Sequence, residues 1–132
     1  MDEKPLTVLV VDDDESVRKA MKRLLMSNGY LVLTFESAED LLLYNLTWDK
    51  VCLLLDIRLS GLSGLNLSAR LAASGVKCPV IFMTAYDNSE WPEKAEKAGA
   101  IAFLRKPFGE QSLLSAIALA CGRVHGTDDD PD

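Results

Sequence analysis

Five short apolar runs, at residues 6–11, 30–35, 51–55, 79–84 and 101–104, alternate with segments whose apolar residues recur at helical spacing. That alternation narrows the fold more than any other feature, because strands that take turns with helices build a parallel sheet covered on both faces. The central run, Val51-Cys52-Leu53-Leu54-Leu55, contains no polar residue. Such a run reads as a strand buried on both sides. The expected architecture is a doubly wound, five-stranded parallel sheet, and 132 residues suffice for one domain with a continuous core.

The helical segments carry their own punctuation. Val17, Ala20, Met21, Leu24 and Leu25 form the inward stripe of the first helix; Asp14 and Glu15 complement its N-terminal dipole, and Asn28-Gly29 closes it. Ser37 reads as the N-cap of the second, which leads into Leu41-Leu42-Leu43-Tyr44-Asn45-Leu46, and residues 64–73 as the third. The fourth is weak: it offers only Trp91, Ala95 and Ala98 to a core, and Pro92 suits a first helical turn. The last is expected from Glu110 to about Gly122, and the acidic tail at 123–132 has nothing to bury and is expected to be disordered.

Parallel strands place their carboxyl ends on one edge, where open α/β sheets bind ligands. The residues that follow the strands are Asp12 and Asp13, Asp56, Thr84 and Lys106, whereas the second strand contributes nothing comparable. With the strand order 2-1-3-4-5, the flavodoxin-like (βα)5 arrangement, Asp12, Asp13 and Asp56 crowd together at the switch point. Three such carboxylates repel one another and call for a cation. Mg²⁺, which takes one or two carboxylates and keeps its remaining sites for water and phosphate, meets that need. Lys106 reaches the same carboxylates and is a point charge for a phosphoryl group, while Thr84 supplies a hydroxyl donor. This set suits phosphoryl transfer onto Asp56 as the nucleophile.

Composition excludes several other classes. A net charge of −6 makes the segment a poor direct binder of nucleic acid. No apolar run approaches the roughly 18 residues of a membrane span, and the N-terminus lacks the order of a signal peptide, so a cytoplasmic protein is expected. Cys52, Cys78 and Cys121 have neither disulfide nor metal-site spacing and read as small core residues.

Four motifs in order, Val10-Val11-Asp12-Asp13-Asp14-Glu15, Leu55-Asp56-Ile57-Arg58-Leu59, Met83-Thr84-Ala85 and Phe103-Leu104-Arg105-Lys106-Pro107-Phe108, resemble the receiver domains of two-component response regulators over residues 6–121. The stretch from Ala98-Gly99-Ala100 to Phe108 looks most like the subfamily whose receivers precede a LuxR-type helix-turn-helix output domain. The resemblance implies a receiver unit at 1–122 and a tail or linker start at 123–132. It implies that Asp56 takes phosphate from a phosphohistidine on a sensor histidine kinase. It gives Mg²⁺, or Mn²⁺ in its place, the ligands Asp13, Asp56 and the Arg58 backbone carbonyl, with Asp12 acting through water. It implies a cis Lys106–Pro107 bond, a switch in which Thr84 moves toward the phosphoryl group and Phe103 follows inward, and a relay to the surface of the fourth helix, fifth strand and fifth helix. Phosphorylation-linked homodimerisation or control of a transcriptional output follows. The only catalysis implied is the domain's own phosphorylation and dephosphorylation.

Two stretches depart from the family pattern. After the acceptor the chain reads Leu59-Ser60-Gly61-Leu62-Ser63-Gly64, with serine where proline is usual, which removes a φ restraint next to the Arg58 carbonyl. The fourth helix carries Trp91-Pro92 and Glu–Lys pairs in place of an apolar run. Arg58 and Tyr86, each two residues beyond a site residue, flank the entrance and could tune phosphoryl hydrolysis.

Taken singly, each residue has a plainer reading: Asp12 and Asp13 as a solvated helix start, Asp56 as a turn residue, Thr84 as a strand former, Lys106 as a surface lysine and Phe103 as core. Their joint placement on one edge is what points to chemistry. A haloacid-dehalogenase-like phosphatase also uses an aspartyl phosphate, but needs an acid where Arg58 stands. A flavodoxin-like electron carrier cradles a phosphate in its first loop, and Asp12-Asp13-Asp14 would repel one. A non-phosphorylated docking receiver would not need the complete acidic set with Thr84 and Lys106.

Overall fold

The computed structural model describes residues 5–59, 61–85 and 90–126. Ser60, Tyr86 and the acidic residues 128–130 lie outside the described residues. Strands β1 (Thr7–Val11), β2 (Leu31–Phe35), β3 (Val51–Asp56), β4 (Val80–Thr84) and β5 (Ala102–Arg105) alternate with helices α1 (Glu15–Ser27), α2 (Ala38–Leu43), α3 (Gly64–Ala73), α4 (Trp91–Lys97) and α5 (Glu110–Gly126). All pairings are parallel and the sheet order is β2-β1-β3-β4-β5, as expected from the sequence.

Alternation along each strand divides the core between the two faces of the sheet. Val8, Val10, Cys52, Leu54, Ile81 and Met83 pack with Met21 and Leu25 of α1 and Leu113 and Ile117 of α5. Leu9, Val11, Leu53, Leu55 and Phe82 pack on the other face with Leu41 of α2, Leu67 and Leu71 of α3, and Ala95 of α4. Every residue of β3 is buried, which is why its run has no polar break before Asp56. Each large side chain so buried contributes about 1.5–3 kcal/mol, enough to fix the strand's place between β1 and β4. Cys52 is buried, Cys78 and Cys121 are half-buried, and all three are free thiols.

The helix starts follow local chemistry. Asp14 caps α1 by accepting from the amides of Ser16 and Val17, Ser37 caps α2 through Asp40, and Ser63 caps α3 through Asn66. Gly29, with φ +92°, turns the chain out of α1 as the sequence predicts. Helix α4 has no side-chain cap, holds Pro92 in its first turn and buries only Ala95.

Two boundaries differ from expectation. Helix α2 stops at Leu43, and Tyr44 turns into extended backbone to meet Phe35 edge-on at 5.4 Å. Helix α5 passes through Gly122 and continues to Gly126, so residues 123–126 are helical rather than tail. A mid-helix glycine costs only about 1 kcal/mol relative to alanine, too little to end a helix already anchored by Leu113, Ala116, Ile117 and Ala120.

Candidate functional site

Strand register assembles the site. Val11 pairs with Leu55, so the next residues, Asp12 and Asp56, leave the sheet side by side. Thr84 ends the adjacent strand, and the Lys106 amide donates to the Thr84 carbonyl at 2.8 Å, extending the β4–β5 ladder by one bond. The Lys106–Pro107 peptide is cis.

Asp12, Asp13 and Asp56 each offer a carboxylate oxygen, and the three oxygens lie within 4.8 Å of one another. Asp12 and Asp56 are buried and Asp13 is exposed. The Lys106 ammonium lies 2.6 Å from Asp12 Oδ2 and 2.9 Å from Asp56 Oδ2. Backbone amides hold the other oxygens: Asp14 N–H donates to Asp12 Oδ1 and Arg58 N–H to Asp56 Oδ1, both at 2.9 Å.

Electrostatics are set by burial. Burial pushes the Asp56 carboxyl above the ordinary range, with the Asp12 charge adding to it, against the pull of Lys106 and the Arg58 amide. Burial alone would lower Lys106, but its hydrogen bonds to Asp12 and Asp56 outweigh that and hold the ammonium protonated above its usual range. The site therefore presents buried negative charge with the Lys106 ammonium against it, and its all-oxygen donor set fits a hard divalent ion.

Of the other residues singled out from sequence, Arg58 reaches the site through its backbone N–H while its side chain is exposed. Thr84 is buried on the neighbouring strand. Phe103 does not join the cluster; it lies within β5, in register with Phe82 and half-buried against the α2–α4 side of the core.

Two contributors were not apparent from sequence. Arg18, just over one turn into α1, donates from Nη1 to the Asp12 carbonyl at 2.7 Å; a cation six residues beyond Asp12 was the available signal. Glu39 in α2 accepts from the Leu62 amide in the β3–α3 loop at 3.0 Å, a contact across 23 residues with no local signal. Beside the site, Val17, Ala20, Met21, Ala85, Lys106, Pro107 and Phe108 line a largely apolar groove of about 400 Å³.

The profile of a family described as Response regulator receiver domain matches residues 8–118. The transcriptional regulatory protein TdiR of Thauera aromatica is 44% identical over 119 residues, which cover 89% of this chain and 52% of that protein. The transcriptional regulatory protein FixJ of Azorhizobium caulinodans is 37% identical over 118 residues, 89% of this chain and 56% of that protein. Among solved structures, the response regulator StyR superposes with a TM-score of 0.87 at 41% identity, covering 95% of this chain and 63% of that one. The crystal structure of FixJ-N gives 0.81 at 32% identity, covering 90% and 95%. The chain spans about half the length of the curated relatives it matches.

Proposed function

The chain belongs to the response regulator receiver domain family, and on that premise we propose that it is a phosphorylation-dependent signalling switch with Asp56 as the phosphoacceptor. The observation that carries this reading is the Asp56 carboxylate at the end of the central strand, bonded to Lys106 and beside Asp12 and Asp13. An Asp56 oxygen attacks the phosphorus of a phosphohistidine on a sensor histidine kinase; the P–N bond breaks, its electrons return to the imidazole, and Asp56 carries the phosphoryl group.

Asp13, Asp56 and the Arg58 backbone carbonyl would hold Mg²⁺ directly, with Asp12 acting through water. A divalent ion there supplies charge to offset the phosphoryl oxygens. Lys106, already an ammonium at Asp56, pairs with the incoming group, and Thr84 donates its hydroxyl to a phosphoryl oxygen.

Phosphorylation then draws Thr84 and Phe103 inward and alters the α4–β5–α5 surface. Helix α4, uncapped and anchored by one buried residue, is the element that yields most readily. The consequence is homodimerisation or control of a transcriptional output domain in the cytoplasm, in keeping with the transcriptional regulators it resembles. The receiver unit runs to the end of α5. Catalysis is confined to the domain's own phosphorylation and dephosphorylation.

Incubation with acetyl phosphate and Mg²⁺, read by intact mass and sedimentation, tests the proposal. One added phosphoryl group with a shift toward dimer is expected, and Asp56→Asn should abolish both. A phosphoryl mass that persists in Asp56→Asn would sink the assignment.

A further inference from the structure

We infer that Glu39 is a positioning residue for the phosphoacceptor site: from α2 it clamps the backbone of the β3–α3 loop and fixes the main chain that begins at Asp56. This inference rests on the function proposed above.

The loop runs from Ile57 to Ser63, and no proline lies within it. Its first residues are fixed by the Arg58 amide on Asp56 Oδ1. Its end is fixed by the Gly64 amide on the Ile57 carbonyl at 3.1 Å and by the Ser63 cap on α3. Just before that cap Glu39 Oε2 accepts from the Leu62 amide at 3.0 Å. The same carboxylate covers Gly61, where a Cβ would lie 2.8 Å from Oε2, and Gly61 has φ +76°, a conformation that favours glycine. Glycine at 61 thus both turns the chain and lets the carboxylate close on the loop.

Glu39 suits the task because it stands in the first turn of α2, where the helix dipole favours an acid, and α2 packs on the sheet through Ala38 and Leu41. The clamp couples a rigid element to a loop that lacks its own φ restraint. Loosening it lets the backbone at Arg58 move, and that backbone carries both the amide on Asp56 and the carbonyl proposed as a metal ligand. Groups that orient ligands without touching the metal still set its affinity.

Two variants separate this role from a mere effect of charge. Glu39→Ala removes the acceptor, while Glu39→Gln keeps an acceptor oxygen and removes the charge. The first readout is amide hydrogen exchange at Leu62 in the metal-free protein, which should accelerate in Glu39→Ala and stay close to wild type in Glu39→Gln. The second is Mg²⁺ affinity by calorimetry: loss of one exposed hydrogen bond to a charged group should raise the Kd about three- to tenfold in Glu39→Ala. Glu39→Gln should stay within about twofold of wild type on the same scale. Unchanged Leu62 exchange or unchanged Mg²⁺ affinity in Glu39→Ala overturns the inference, as does a Glu39→Gln variant as defective as Glu39→Ala. Failure of the wild-type chain to bind Mg²⁺ would count against the proposed function instead, and the Leu62 exchange would still judge the clamp.

Discussion

Replacing Lys106 by methionine keeps most of the aliphatic stem and deletes the one cation seen on the two buried carboxylates among the described residues. At an effective dielectric of about 20, contacts of 2.6 and 2.9 Å each represent roughly 6 kcal/mol of Coulomb attraction. Desolvation of all three groups offsets much of this, and orphaning a buried ion-pair partner typically costs about 3–5 kcal/mol. Proton uptake sets a ceiling. Neutralising one carboxylate of ordinary pKa costs about 4 kcal/mol at pH 7 but only about 1.5 kcal/mol at pH 5. Asp56, which burial already pushes upward, is the group that takes the proton.

The sign follows from linkage. The folded variant retains a proton at Asp56 that the unfolded chain has released, so its stability falls as pH rises above the ordinary carboxylate range. In the wild type the Lys106 contribution is fully present below the unfolded lysine pKa and is lost only as pH climbs through its raised folded value. Metal-free Lys106→Met should therefore be about 3 kcal/mol less stable than wild type at pH 7. That corresponds to roughly 10 °C in Tm for a domain of this size, and the gap should shrink to about 1.5 kcal/mol or less at pH 5. Thermal melts by circular dichroism at the two pH values, with chelator, measure this. A variant as stable as wild type at pH 7, or a gap that does not narrow at pH 5, would refute the reasoning.

Other perturbations probe the same edge of the sheet. Asp13→Asn should weaken Mg²⁺ binding yet leave the metal-free protein slightly more stable, because repulsion with Asp12 and Asp56 falls; calorimetry and melts with chelator check the two halves. Gly64→Ala should cost about 2–4 kcal/mol, since the added Cβ would stand 2.2 Å from the Asp56 carbonyl oxygen, a backbone atom that cannot swing aside. Urea unfolding measures that loss, and a fall of less than about 0.5 kcal/mol would count against close packing of the loop.

The sheet was legible because burial on both faces leaves a plain signature: β3 is apolar from Val51 to Leu55, and its neighbours follow from which strand ends carry chemistry. Asp12, Asp13, Asp56, Thr84 and Lys106 were legible for the same reason, since each directly follows or ends a strand and parallel order alone puts them on one edge. Arg18 and Glu39 were not, because each acts on main chain through a side chain whose target is set by how a helix docks. The end of α5 was not legible at Gly122, because the anchoring given by Leu113, Ile117 and Ala120 carries the helix through a locally unfavourable glycine. Phe103 was singled out by the family resemblance alone, and it lies in β5 in register with Phe82.

The continuous α5 has a mechanical consequence. It leaves the carboxyl edge just after Lys106 and Pro107 and runs for 17 residues, about 25 Å at 1.5 Å per residue. The end of α5 at Gly126 thus lies away from the edge that holds Asp56, and the direction in which that end faces is set by helical phase. One residue inserted into α5 would rotate its last turn by about 100°, whereas four would bring it back to within about 40° of the original heading. The helix is in this sense a graduated shaft, and its length in residues specifies the direction in which its far end faces.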